Sequence, residues 1–254
     1  MSTKTRAPKG DAERSAGKGG GPTALVTFLV GAAIVAYLFF TNPDPKSFEA
    51  YNFINTGLCL WLPLLVILFA LRQEPSQFGL TRGDQRFGLK WALIAWIAMI
   101  LPIVYFAHRA DVQQYYLQGR LRTWELSGVG YVFNDGNRVN LKALLYYELG
   151  MGFYMFCWEF FFRGFLLFGL QKSRLGAWGA IIVQALLFML IHWSLNAHAS
   201  KPGLEVLSAL PGGIILGWFA LRTRTFLYGY LIHWALSVTL DLFLLVPFMF
   251  HRFG

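Results

Sequence analysis

The chain has 254 residues, of which 56% are hydrophobic, 17% are aromatic and only 14% are charged, and its mean hydropathy is +0.48. These proportions exclude an ordinary soluble domain and indicate a membrane protein with several spans. The formal net charge of +9 does not indicate nucleic-acid binding, because several Lys and Arg residues lie in short segments between apolar runs, where the positive-inside rule accounts for them.

The first 22 residues are polar, Gly-rich and basic, with five Lys or Arg residues against two acids. They lack the apolar residues that a core needs, so we expect a disordered tail. The apolar run at 23–40 is long enough to span a bilayer, which takes about 17 to 25 residues. No small-residue cleavage signature closes this run, so it predicts a retained span that opens a single transmembrane domain over 23–254.

Further apolar runs predict the other spans of an all-α, polytopic membrane bundle. With the first run they make seven, and a break of the last one near Pro247 or Gly229 would add a short eighth segment. Cys59 and Cys157 lie inside apolar runs, which favours two small buried side chains over a disulfide or a Cys metal site. The six further runs lie at 53–71, 91–106, 143–170, 178–193, 204–221 and 226–248.

The distribution of Lys and Arg predicts the orientation. With a cytoplasmic tail, the basic connections around residues 72–90, 172–174 and 222–224 are cytoplasmic as well, as the positive-inside rule requires. The longer segment 107–142 then lies on the opposite side despite its five Lys or Arg residues, since longer loops translocate with less regard to charge. We expect an integral protein of a bacterial inner membrane.

Ionisable residues inside the apolar runs are the first functional candidates, because an unpaired charge at mid-bilayer costs several kcal/mol. Glu159 and Arg163 are four residues apart on one helix, so they share a face and can pair. The pair could also be structural and only orient neighbouring helices. Glu148, three turns earlier, is expected nearer the membrane surface.

Two histidines lie in other spans, His192 and His233. A single such histidine usually has a packing role, but helices of a bundle can bring two of them to a wet cavity with a Glu and an Arg. Asn196 and Ser237 each follow a histidine by four residues and could line the same cavity.

This set of residues permits one kind of chemistry in particular. A carboxylate and a His can deprotonate water, and a His with an amide or hydroxyl can stabilise the oxyanion that forms at a peptide carbonyl. Glu159, His192 and His233 are therefore the candidate catalytic residues, and no cofactor is expected. The same three residues could instead hold a zinc ion, although no HExxH signature supports that alternative.

Three motifs resemble those of the CPBP family of intramembrane endopeptidases. This family, also called ABI or CAAX-protease-like, includes the Rce-type CAAX prenyl proteases, and its motifs are E-E-x-x-x-R, F-x-x-x-H and H-x-x-x-N or H-x-x-x-D. The corresponding segments here are WEFFFRG at 158–164, FMLIH at 188–192 and HWALS at 233–237. The resemblance implies an intramembrane protease fold and a membrane-anchored or lipidated protein substrate.

Two positions depart from the family pattern. Arg163 and Gly164 set the register, so Glu159 matches the second Glu and Trp158 stands where the resemblance implies the water-activating first Glu. Glu159 cannot simply replace it, because one residue along a helix rotates the side chain by about 100°. Ser237 ends the third motif in place of Asn or Asp. Loss of a positioned base costs about 10² to 10⁴ in rate.

Two functions therefore compete. The chain could be an endopeptidase that uses Glu159, His192 and His233 in an altered arrangement, with Arg163 bracing the cavity wall. It could instead be a non-catalytic relative that binds transmembrane segments and assists sorting, immunity or an active paralogue. A small transporter is disfavoured, because no repeat or pair of broken helices is apparent.

Overall fold

The architecture comes from a computed structural model that describes residues 9–41, 48–134, 138–193 and 201–249. Within these ranges the protein is helical, with two isolated β-bridges in the segment between the third and fifth helices and no longer strand. The predicted all-α membrane bundle is confirmed.

Within the described ranges the structure has eight helices and a short 3₁₀ turn, Pro75–Phe78. Six are long and apolar enough to cross a membrane, and the sixth in chain order is a shorter apolar helix, so all seven predicted spans are helical. The eighth is a short helix, α4, outside the spans. The ranges are α1 (Lys9–Thr41), α2 (Phe48–Ala70), α3 (Gln85–Ala107), α4 (110–121), α5 (Leu141–Leu170), α6 (Gly176–His192), α7 (Gly203–Thr223) and α8 (Leu227–Met249).

Helix α1 begins earlier than the sequence predicts. It is helical from Lys9 and passes through Pro22, whereas residues 1–22 are expected to be a disordered tail. Residues 9–18 include Ala, Glu, Lys and Arg, which are good helix formers, so the helix of the first span extends backwards into the polar segment. Residues 1–8 lie outside the described part of the chain.

Helix α5 is the centre of the bundle, and nearly all of its second half is buried. Two glycines allow neighbouring helices to approach it closely. A Cβ on Gly152 would lie 2.6 Å from the indole of Trp234 on α8, and a Cβ on Gly169 would lie 2.4 Å from the hydroxyl of Thr27 on α1. Small residues at such crossings are typical of membrane bundles.

Helix α3 lies at the outside of the bundle and carries large exposed apolar side chains, as a lipid-facing helix should. Seven of them are Leu89, Trp91, Leu93, Ile94, Ile97, Leu101 and Tyr105. Its inner face packs against α8, where Trp96 Nε1 donates to Thr239 Oγ1 at 2.9 Å.

The connections predicted to be cytoplasmic meet at one end of the bundle. The amide of Asp84, before α3, donates to the carbonyl of Thr223 at the end of α7 at 2.9 Å. Lys172 Nζ, after α5, donates to Gln73 Oε1, after α2, at 2.6 Å. At the opposite end, Ser127 N donates to Glu49 Oε1 at 2.8 Å.

Candidate functional site

The site is organised around Glu159 on α5. The helix is regular up to this residue, and a wider π-helical stretch, Phe160–Leu166, follows. Such π segments are frequent at functional sites. Glu159 Oε1 accepts from Arg163 Nη1 at 3.0 Å, and neither side chain has any solvent exposure. The predicted ion pair is therefore present and lies wholly inside the bundle.

His233 on α8 binds the same carboxylate. Its Nδ1 lies 2.9 Å from Glu159 Oε1. A carboxylate that is already paired with Arg163 can only accept this bond, so the proton of the ring is on Nδ1. The His233 side chain is 30% exposed, and Nε2 is the ring nitrogen that Glu159 does not bind. Ser237 is half-buried one turn further along α8.

Trp158 faces a different part of the bundle from Glu159, as the rotation of about 100° per residue requires. Its Nε1 donates to Asn55 Oδ1 on α2 at 3.2 Å, and the side chain is buried. The indole also packs edge-on against the His192 ring, with 6.5 Å between the ring centroids. The position where the resemblance implies the first Glu therefore lies beside His192, and an indole occupies it here.

His192 is the last residue of α6 and is 6% exposed. Its Nδ1 lies 2.8 Å from the carbonyl oxygen of Phe188, one turn earlier. A carbonyl only accepts, so this bond places the ring proton on Nδ1 and leaves Nε2 with a free lone pair. Nε2 lies 3.8 Å from Glu205 Oε1, in the first turn of α7.

Glu205 is a member of the site that sequence reasoning did not identify. Lys201 Nζ lies 2.5 Å from its Oε1, and the hydroxyl of Tyr116 on α4 donates to its Oε2 at 2.5 Å. The available signal was an acid at the second position of a predicted span, four residues after a lysine, but its place at a helix end suggested an ordinary surface charge.

The two residues that hold Glu205 keep their protons. Burial opposes the charge of Lys201, but the attraction of Glu205 outweighs it and raises the pKa of the ammonium above its usual value. Burial, with the charge of Glu205 added, raises the pKa of Tyr116 well above its usual range. Lys201 therefore stays a cation and Tyr116 stays a hydrogen-bond donor at neutral pH.

The predicted catalytic residues are thus divided between two groups. Glu159 and His233 form one with Arg163, and His192 forms the other with Glu205. The ring of Phe188 links the groups, with its centroid 4.4 Å from that of His192, 6.3 Å from that of His233 and 4.1 Å from Arg163 Cζ. Among the described residues, no hydrogen bond shorter than 3.5 Å is made by Nε2 of either histidine.

Asn196, predicted to support the site, lies outside the described residues. Within the described ranges no three His, Cys, Asp or Glu side chains are grouped to hold a metal ion, and Glu159, His192 and His233 do not converge as zinc ligands would. The chemistry that the arrangement permits is proton transfer at two imidazoles beside buried carboxylates.

A second pair of acids lies away from these groups. Glu148 on α5 is 8% exposed and Asp241 on α8 is 2% exposed, so both are buried in the protein although Glu148 was expected near the membrane surface. The helices α5 and α8 remain packed along this length, with Trp234 Nε1 donating to the carbonyl of Glu148 at 3.2 Å.

Comparison with known proteins agrees with the motifs. Residues 141–239 of the 254 match the family model described as type II CAAX prenyl endopeptidase, Rce1-like. This segment runs from the start of α5 into α8 and contains every described residue of the two groups except Tyr116. No curated protein and no solved structure matches the chain.

Proposed function

We propose, from the match of residues 141–239 to the Rce1-like family model, that the chain is a membrane endopeptidase that hydrolyses a peptide bond in a membrane-anchored or lipidated protein. One observation carries the proposal. Two histidines on different helices are each held through Nδ1, and the rings of both pack against Phe188. A base and an oxyanion donor need this arrangement.

In the proposed reaction His192 is the general base. Water attacks the scissile carbonyl carbon, its proton passes to Nε2 of His192, and the carbonyl π electrons move to oxygen to form a tetrahedral oxyanion. When the oxyanion collapses, the C–N bond breaks and His192 returns its proton to the leaving amine nitrogen. The products are a carboxylic acid and an amine, and the enzyme regains its initial state.

His233 stabilises the oxyanion in this scheme. Glu159 holds the proton of Nδ1, so a second proton on Nε2 makes the ring an imidazolium whose N–H can donate to the developing charge. Glu159 and Arg163 act through His233 and are positioning residues. Their charges cancel within the bundle, which allows the ring to be oriented without an uncompensated buried carboxylate.

The second candidate function is a non-catalytic membrane protein that binds transmembrane segments of a partner. Trp158 favours it, because this buried indole cannot take a proton and occupies the place of the first Glu beside His192. In that case the polar groups stabilise the fold and the apolar surface of the bundle binds the partner helix.

We further propose a cytoplasmic N terminus in a bacterial inner membrane. The basic connections that follow α2, α5 and α7 meet at one end of the bundle, where Lys172 and Arg222 each bond to the connection after α2. Concentration of positive charge at one end is the pattern expected of the cytoplasmic side.

The test compares the termini of membrane proteins by mass spectrometry in cells that contain the wild type, a deletion, or a His192→Ala, His233→Ala double variant at matched expression. Termini that appear with the wild type and disappear with both other strains support the endopeptidase and identify its substrate. His108→Ala is the matched control, because His108 lies at the exposed end of α3, bonded to the carbonyl of Val104, and should leave cleavage intact.

If the double variant restores everything that the deletion loses, the endopeptidase proposal is wrong and the binding function takes its place. Variants of the apolar lipid-facing surface would then be tested for rescue of the deletion phenotype. Those that fail to rescue it would locate the surface that binds the partner.

A further inference from the structure

Two hydrogen-bond acceptors face each other in the group around His192. The ring proton of His192 is on Nδ1, which donates to the carbonyl of Phe188, so Nε2 carries the lone pair. Glu205 Oε1 lies 3.8 Å from Nε2. This distance is too long for a direct hydrogen bond. A water molecule has two O–H bonds, so it can lie between the two acceptors and donate one hydrogen bond to each of them.

Lys201 offsets the attraction that Glu205 would exert on a cationic His192 ring. Lys201 already pairs with Oε1 of Glu205 at 2.5 Å, so a cationic His192 would face a second cation across the same carboxylate. Both acceptors are well shielded, with the His192 side chain 7% and the Glu205 side chain 17% exposed, which strengthens the bonds of any molecule between them.

We infer that Glu205 is a further catalytic residue, which orients the attacking water against Nε2 of His192. The inference rests on the proposed function and names the carboxylate that this site uses. Trp158 removes the acid that the family motif would place beside His192, and the first turn of α7 brings another acid to the same imidazole.

The surroundings of Glu205 suit orientation of a water molecule rather than removal of its proton. Lys201 and Tyr116 hold the two carboxylate oxygens from different directions, so the acid has a fixed position and little remaining basicity. One O–H of the water donates to Oε1 and the other to Nε2. On attack, the proton bound to Nε2 moves to His192, and Glu205 stabilises the imidazolium that forms.

The first test does not depend on activity. We would determine the structure of the full chain in lipid nanodiscs by cryo-electron microscopy at a resolution that shows ordered water, for the wild type and for Glu205→Gln. The wild type should show one water within about 3.2 Å of both Nε2 and Oε1. The variant should show this water at lower occupancy, because a neutral amide accepts a weaker hydrogen bond from it than the carboxylate does.

The second test measures rates on a peptide that spans the cleaved terminus identified in cells. Glu205→Gln should lower kcat by about 10²-fold or more, with KM within about twofold of the wild type. Glu205→Asp should recover part of kcat, since the carboxylate remains. Glu125→Gln removes an exposed acid outside the site and should change neither constant. Melting temperatures show whether each variant is folded.

The outcomes separate this inference from the proposed function. Full kcat in folded Glu205→Gln, with His192→Ala inactive, overturns the role of Glu205 and leaves the endopeptidase standing. A wild type that cleaves nothing overturns both the endopeptidase and the catalytic role of Glu205. A wild-type map with Nε2 and Oε1 bridged by no water overturns it in either case.

Discussion

Neutralising Glu159 alone should destabilise the protein far more than removing the whole ion pair. Glu159 and Arg163 have no solvent exposure, and their charged atoms are 3.0 Å apart. In the Glu159→Gln variant the Arg163 guanidinium stays buried without its counter-charge, and breaking one side of such a pair costs about 3 to 5 kcal/mol. The Glu159→Gln, Arg163→Met double variant keeps neither charge of this pair, so its free energy of unfolding should lie within about 2 kcal/mol of the wild type.

The assay is reversible unfolding in mixed micelles with increasing SDS, followed by tryptophan fluorescence, for the wild type, both single variants and the double variant. The control pair is Arg109 and Asp111, which are 3.0 Å apart but well exposed, so its neutralisation should leave the free energy of unfolding unchanged within error. A double variant that is less stable than either single variant would refute the reasoning, because the two charges would then not compensate each other.

Two further predictions concern the ends of the bundle. Attraction by Glu205 raises the pKa of Lys201 above 10.5 although burial opposes it, so their pairing stabilises the fold fully below that pH and is lost as the pH rises through the higher folded value. Melting temperatures between pH 8 and 11.5 should therefore fall more steeply for the wild type than for Lys201→Met, and parallel curves would contradict this. Gly83→Ala should cost at least about 1 to 3 kcal/mol, because φ is +55° and the new Cβ would lie 2.1 Å from the carbonyl oxygen of Thr223. Gly128→Ala is the control, because φ is positive there as well, at +73°, but a new Cβ would lie in open space. If both variants lose the same free energy of unfolding, the contact with Thr223 is unimportant.

Most of the fold could be predicted from hydrophobicity, because a bilayer requires long apolar helices and leaves few alternatives. All seven predicted spans are helical. The start of α1 was harder to predict, since composition indicates only that 1–22 cannot form a core and does not exclude a helix continuing out of a span. Sequence spacing places Glu148 along one helix, but it does not show the burial of its side chain by other helices, which only the structure shows.

The sequence by itself determined the membrane bundle, the pairing of Glu159 with Arg163 and the candidate role of two histidines, because helical periodicity and the cost of buried charge act locally. Only the tertiary structure decided which groups meet across helices. It placed Glu159 with His233, turned Trp158 towards Asn55, and set Glu205 opposite His192. Such contacts depend on the crossing and rotation of whole helices, which many distant packing contacts determine together and no short segment of sequence specifies.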